Sequence, residues 1–341
     1  PADLISIMGL EGKLAGKDAN RVKAVRLRGV FSMGLVLEAR EGWTEGQDVA
    51  DELGIEKYEP PIPATMAGKV MRIKDPLDVP GRSVSSMFNY DIENARGYKS
   101  DKKNPFNMGE QIVVTEKIHG TNVQFGLTGA HPLTGERAFY VASKGLAKQG
   151  VALDPNNPEN ANNLYVRTAV YHGIEQRLRE CLGENPAPIR LIGEIFGAGV
   201  QDLTYGYDSS RPETTGVRFF DIYIGGIDSR DPESGRTVTH GRYLSDTYID
   251  PVTGAEVREL DDVLAALQLP RVPVLYRGPY SPELVDQYTS GQETVSGKGL
   301  HIREGVVFRP VTDRRNDSLG RVCLKSVSPA YLLRKGGTEF N

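Results

Sequence analysis

Apolar and polar positions alternate early in the chain. In NRVKAVRLRGVFSMGLVLEAR, Val22, Ala24, Leu27 and Val30 are interrupted by basic residues and followed by glycines, the period of a strand with one aliphatic face. DVADELGIEKY reads as a short helix, and YEPPIPAT as an extended, proline-rich break. Residues 1–95 are therefore expected to form a small β-rich unit. The pattern is compatible with an OB-fold; the alternative is a generic small barrel that packs on its neighbour. Residues 96–110, RGYKSDKKNPFNMGE, read as a polar linker. From Gln111 the pattern becomes short strands with inserted loops. One long helix is predicted over NLYVRTAVYHGIEQRLRECLG, where Leu164, Val166, Ala169, Val170, Ile174, Leu178 and Leu182 recur at the spacing of a buried helical face. LDDVLAALQLP predicts another, closed by Pro270. The fold class is thus α+β, with residues 1–95 as an OB-like barrel, 96–110 as linker and 111–341 as a second domain.

Composition changes this picture little. A hydrophobic content of 39% and a charged content of 25% suit a globular protein with a real core. No apolar run approaches the ~18 residues of a membrane span. The two cysteines, Cys181 and Cys323, form no metal motif and no disulfide framework, so a cytoplasmic location is expected. A net charge of −4 excludes general basicity as a route to nucleic acid, but not a local basic surface. Between Lys13 and Arg40 seven basic residues stand against two acidic ones. Arg21, Lys23, Arg26 and Arg28 are the candidates for holding a nucleic-acid backbone. A second basic cluster spans Arg96–Lys103. Either run could also be an ordinary solvated face.

The candidate chemistry begins at VVTEKIHGTNVQFG. Lys117 ends a strand and is followed by a glycine turn, which exposes an amine where backbone N–H groups can approach a phosphate. A lysine attacks phosphorus only when deprotonated. With a reference pKa of about 10.4 it needs positive charge, a metal or desolvation nearby. Carboxylates occur in two later strands: Glu194 in RLIGEIFG and Glu304 just before GVVFRP. A carboxylate in an apolar strand is costly unless it meets a cation or a hydroxyl; a strand-edge salt bridge is the plainer alternative. GVRFFDIYIG offers Phe219 and Phe220, one of them able to face a base. Lys325 in RVCLKSVS is a possible phosphate contact. VSGKGL imitates a P-loop but lacks the first glycine and the Ser/Thr after its lysine.

In order, Lys117-Ile118-His119-Gly120-Thr121-Asn122, Ser143-Lys144-Gly145, Glu194-Ile195-Phe196-Gly197, Phe220-Asp221-Ile222, Glu304-Gly305-Val306-Val307 and Leu324-Lys325 resemble the motifs of the covalent nucleotidyltransferases, the polynucleotide ligases and capping enzymes. Lys-x-His-Gly-Thr-Asn is similar to ATP-dependent RNA ligases, whereas DNA ligases and capping enzymes usually carry Lys-x-Asp-Gly. Sixteen residues follow Lys325, and the small β unit precedes Lys117. That order resembles RNA ligases with an N-terminal OB domain and a nucleotidyltransferase domain built on antiparallel sheets with flanking helices. One departure is Cys323, where the last motif commonly has a lysine; Lys325 then acts alone or with Arg321.

The resemblance implies a lysyl-AMP intermediate on Lys117, formed from ATP with Mg²⁺ or Mn²⁺, and sealing of RNA 3′-OH and 5′-phosphate ends, in nicked duplex or single strands, by a monomer. It implies that Glu116 and the Ile118 backbone read adenine, that Phe220 stacks on it, and that Lys144 and Glu194 serve the ribose and the metal's surroundings. Glu304 is the main metal carboxylate, Lys325 meets the α-phosphate, and His119 and Asn122 support nucleotide or end binding. A DNA or mixed nick ligase, and a binding protein with an inactive ligase domain, are the alternatives.

Overall fold

The computed structural model describes residues 25–27, 30–32, 38–47, 49, 52–54, 66, 68–72, 90–98, 103–130, 134–185, 187–210, 213–225, 228–230, 237–239, 241–250, 252–317 and 319–334. The chain divides into two units, residues 1–61 with 78–83, and residues 62–77 with 84–341. Among the described residues the first unit holds an antiparallel ribbon of β1 (Val25–Leu27) and β2 (Val30–Ser32), Val25 opposite Ser32. The helix and proline-rich break expected over 48–65 lie almost wholly outside the described residues. The closed OB barrel is not seen among them.

The second unit contains two sheets. Its strands include β3 (Val70–Arg72), β4 (Glu93–Asn94), β5 (Gln111–Lys117), β6 (Thr121–Leu127), β7 (Phe139–Ser143), β8 (Val151–Leu153), β9 (Ile189–Gly197) and β10 (Thr215–Ile224). A seven-stranded sheet runs Arg242–Tyr243, β10, β9, β6, β7, β8, β3. A five-stranded sheet runs Val274–Pro279, β5, Gly305–Pro310, Leu324–Val327, β4. These pairings are antiparallel except for β4, which runs parallel to Leu324–Val327 with Asn94 opposite Lys325. Thus β3 and β4, inside the stretch expected as the barrel, are strands of the second unit. Phe106, in the expected linker, is buried against Tyr280.

Helices Leu164–Tyr171, Ile174–Leu182 and Glu259–Ala266 contribute to one core with the larger sheet, among Phe125, Leu191, Val217 and Phe219. A smaller core joins Ile112, Val114, Val306, Phe308 and Leu324 to Leu284 of helix Glu283–Thr289. The single long helix expected over 163–183 is two helices. Gly173 sits at φ 58°, in the left-handed region, and breaks the run there. Val166 and Ala169 before the break and Ile174 and Leu178 after it are buried, while Val170, expected on the same face, is exposed. No helix among the described residues is long and apolar enough to cross a membrane.

A buried ionic cluster ties the two sheets together. Arg309 of the smaller sheet reaches Asp221 of β10 at 2.6 Å and Asp246 at 2.6 Å, and Arg321 reaches Asp221 at 2.7 Å. Burial disfavours these charges, yet the arginines hold the carboxyls of Asp221 and Asp246 below the usual range. Removing one partner would strand a buried charge, so the cluster fixes one spacing of the sheets beside the cavity between them.

Candidate active site

The chain passes from the smaller sheet to the larger through the turn Ile118–Gly120, between β5 and β6. Gly120 is required there: a Cβ would stand 2.1 Å from the Ile195 carbonyl oxygen of β9. Beside this turn lies a cavity of about 590 Å³, lined from both sheets. Its volume suits a nucleotide-sized ligand.

Lys117 ends β5 and points into the cavity, where Nζ donates to Glu304 Oε1 at 2.5 Å. Glu304 is held just before the strand Gly305–Pro310, whose Gly305 is the register partner of Lys117. Glu194 arrives from β9 on the other sheet, opposite Asn122 of β6, so the two side chains share a face. Burial pushes the Glu194 carboxyl up to about 8; Lys117 opposes that shift and Glu304 adds to it. Two carboxylates and an amine thus converge from three strands.

Phe220 and Phe219 part company at a register shift between Phe219 and Asp221. This bulge leaves Phe219 in the core and turns Phe220 toward the cavity. Glu116 also lines the cavity. Its Oε2 accepts from the Thr294 backbone at 2.8 Å, whereas Oε1 is buried with no partner among the described residues, as is Asn122 Oδ1. Burial raises the Glu116 carboxyl pKa. Lys144 starts the helix Lys144–Lys148, capped by Ser143, and bonds Asp91 at 3.1 Å. Lys325, opposite Val307, and Ile118 complete the sequence-derived set on the cavity wall.

Two expectations meet a different arrangement. His119 is buried but is not part of the cavity wall; its ring lies between Asp202 and Tyr331. Arg321 gives its guanidinium to Asp221 and Asp313 and stacks on Tyr243 at 3.6 Å, so it does not assist Lys325. Cys323 lines the cavity, its thiol pushed up to about 11 by burial, and stays neutral.

Sequence reading missed Tyr90, Asp91 and Arg309, and saw Arg96 only as one member of a basic run. All four line the cavity. Tyr90 donates to Asp221 and sits 5.4 Å from the Phe220 ring. Arg96, in the turn Ala95–Tyr98 after β4, pairs with no carboxylate among the described residues. The available signal was the aromatic-acid pair Tyr90-Asp91, just ahead of the basic run that starts at Arg96. Of the candidate nucleic-acid residues, Arg21, Lys23 and Arg28 lie outside the described residues; Arg26 is on β1, its side chain undescribed.

The curated proteins contain no match to this chain. Among solved structures it is similar to Naegleria gruberi RNA ligase. A lysine-to-methionine variant with AMP and Mn is 20% identical, covering 92% of this chain and 76% of that one at a TM-score of 0.47. A lysine-to-alanine variant with ATP and Mn is 20% identical, covering 95% and 81% at 0.47. The same ligase with PPi is 20% identical, covering 94% and 79% at 0.46. The family model described as RNA ligase matches residues 110–327. That stretch is well over half of the sequence and contains both carboxylates, the lysine and all the cavity strands but β4, and the chain belongs to the RNA ligase family.

Proposed function

We propose that this protein is an ATP-dependent RNA ligase that joins RNA 3′-OH and 5′-phosphate ends, acting in repair at nicks. The observation that carries this reading is the approach of Lys117 Nζ to Glu304 Oε1, with Glu194 beside them, in a cavity of nucleotide size. In the first step Nζ attacks the α-phosphorus of ATP. A P–N bond forms, the bond to the β-phosphate oxygen breaks, and pyrophosphate leaves. Nζ gives up its proton to solvent beforehand, while Glu304 Oε1 holds the amine in place. In the second step a 5′-phosphate oxygen of RNA attacks the AMP phosphorus and the P–N bond breaks. In the third, the 3′-OH attacks that activated 5′-phosphorus and AMP leaves. All three are displacements at phosphorus, for which the protein supplies position and charge.

The residues fit a hard divalent ion. The donors are carboxylate oxygens, and Glu194 is buried enough to be pushed up to about 8, a cost that a neighbouring dication offsets. Among the described residues no three His, Cys, Asp or Glu side chains gather, so such an ion would keep most of its water shell. Bound at Glu304 and Glu194, Mg²⁺ or Mn²⁺ would neutralise phosphate charge and favour the unprotonated amine. Phe220 stacks on the adenine, and the unpartnered Glu116 Oε1 accepts from its edge with the Ile118 backbone alongside. Lys144 serves the ribose side, and Lys325 and Arg96 meet the phosphates. Asn122 orients the reacting ends. The N-terminal unit, residues 1–61 with 78–83, is the OB-like unit in this reading, and its Arg21, Lys23, Arg26 and Arg28 hold the RNA backbone, with affinity that falls as salt rises.

The test is incubation with α-labelled ATP and Mg²⁺ or Mn²⁺ followed by a denaturing gel, alongside Lys117→Ala. A label that survives denaturation, needs Lys117 and is discharged by pyrophosphate supports the reading. Absence of label, after pyrophosphate has cleared any AMP carried through purification, overturns it. Nicks with each strand as RNA or DNA then check the polynucleotide; equal sealing of all-DNA nicks would remove the RNA preference.

A further inference from the structure

His119 belongs to the same turn as Lys117, yet its ring faces away from the cavity into a closed polar cluster. Nε2 lies 2.7 Å from Asp202 Oδ1, and Nδ1 lies 2.6 Å from the Tyr331 hydroxyl. The Arg334 guanidinium grips both oxygens of Asp202 at 2.9 Å and stacks on the Tyr331 ring at 3.7 Å. Asp202, ion-paired to Arg334, can only accept, so Nε2 carries the proton and Nδ1 accepts from Tyr331. The His119 backbone N–H donates to the Tyr205 hydroxyl at 2.7 Å. His119, Tyr205 and Tyr331 are all buried.

We infer that Tyr331, Asp202 and Arg334 are positioning residues for the nucleophile, acting through His119. The short helix Pro329–Leu332 and Arg334 follow the last motif strand and latch the turn Ile118–Gly120 from behind. The latch has one side in the cavity, since Leu332 lines it. The turn is the direct continuation of Lys117. A ring fixed at both nitrogens and at its backbone N–H therefore fixes where the lysine's Cα stands relative to the α-phosphorus. In-line attack is steep in such geometry: a misplacement of about 1 Å costs on the order of a hundredfold in rate. The latch matters most for the step in which Lys117 is the nucleophile. It matters less for sealing, where the attacking group is an RNA hydroxyl. His119 is then not a contact to nucleotide or RNA end but the coupling between the C-terminal helix and the nucleophile.

The inference rests on the proposed ligase reading and separates from it in one experiment. Tyr331→Phe removes a single hydroxyl and with it the 2.6 Å contact at His119 Nδ1. Asp202→Asn, at a partly exposed position, is the second variant should Tyr331→Phe fail to fold. Three quantities are measured: the single-turnover rate of lysyl-AMP formation at saturating ATP, the KM for ATP, and the rate of sealing of pre-adenylylated RNA, which bypasses the first step. The expected result is a loss of about ten-fold in lysyl-AMP formation, an unchanged KM, and sealing of pre-adenylylated RNA within about two-fold of the parent. A merely structural role would lower all activities together with the melting temperature. Equal losses in both steps, or no loss in the first, overturn the latch while the parent's AMP label keeps the ligase reading. A parent that takes no label at Lys117 overturns both.

Discussion

Replacing Lys117 by methionine tests whether the amine is the electrostatic keystone of the cavity as well as its proposed nucleophile. Methionine keeps the length of the side chain but not the charge. Glu304, 1% exposed, then loses a cation held at 2.5 Å, and Glu194 loses the group that opposes its upward shift. A buried carboxylate that has lost this cation escapes by taking a proton in the folded state, while in the unfolded chain it ionises above about 4.3. The penalty thus grows with pH. At 1.36 kcal/mol per unit it is bounded at about 4 kcal/mol at pH ~7.5 and about 1 kcal/mol at pH ~5. Lys117 is itself 26% exposed, so water reaches the site and reduces both; about 2–3 kcal/mol at the higher pH is the expected loss. The assay is urea unfolding followed by far-ultraviolet circular dichroism at the two pH values, on parent protein first cleared of AMP with pyrophosphate. Lys117→Arg, which keeps a cation, should show far less of this pH-dependent loss. Equal destabilisation by Lys117→Met at both pH values would refute the reasoning, because a packing defect does not titrate.

Other outcomes follow from the same geometry. The Glu194 carboxyl, raised to about 8 in the ion-free site, must lose its proton to face an ion, so AMP labelling at low Mg²⁺ should rise with pH toward about 8, and added Mg²⁺ should move that rise to lower pH; in Glu194→Gln this metal-dependent movement should disappear. The same shift has a stability side: the ion-free protein should lose stability as pH rises from about 4.5 to about 8, because the unfolded carboxyl ionises first, and chemical denaturation across that window measures it. Phe220→Ala should raise the KM for ATP about ten-fold, from a stacking contribution of ~1–3 kcal/mol, while Phe220→Trp keeps most of the affinity; equal KM values for all three proteins would remove the base from that wall. Asp91→Asn breaks a half-exposed pair with Lys144, so stability should change by less than ~1 kcal/mol, while calorimetry should find ATP bound somewhat more tightly because Lys144 no longer has a resident carboxylate.

The motif residues were legible because each lies in or beside a strand whose apolar run is readable from sequence alone. Glu194 in RLIGEIFG and Glu304 before GVVFRP stand out as charges with no business in a core, and the structure turns both into one cavity. Pairing is what the pattern could not carry. β3 and β4 are three and two residues long, too short to show a period, and only their partners Val151–Leu153 and Leu324–Val327 assign them to the larger unit. The long helix failed for a related reason: apolar spacing continues through His172-Gly173, and the break is a backbone property of one glycine rather than a change in periodicity.

Cys323 shows most directly how tertiary context overrides a motif. By pattern the position asks for a cation, and Arg321, two residues earlier, looks like the residue that would make up for it. The structure commits Arg321 to Asp221 and Asp313 and stacks it on Tyr243, while Cys323 itself sits 2% exposed at the cavity wall. A lysine there would be a third basic group crowding Arg309 and Arg321, both already bound to Asp221. The small neutral thiol avoids that repulsion and leaves the cluster balanced. Positive charge enters the cavity from elsewhere: from Lys325, two residues on in the strand Leu324–Val327, and from Arg96, placed there because Asn94 of β4 pairs beside Lys325. A residue that sequence reading assigned to a linker thus reaches the cavity through a two-residue strand, by a pairing between positions 231 residues apart.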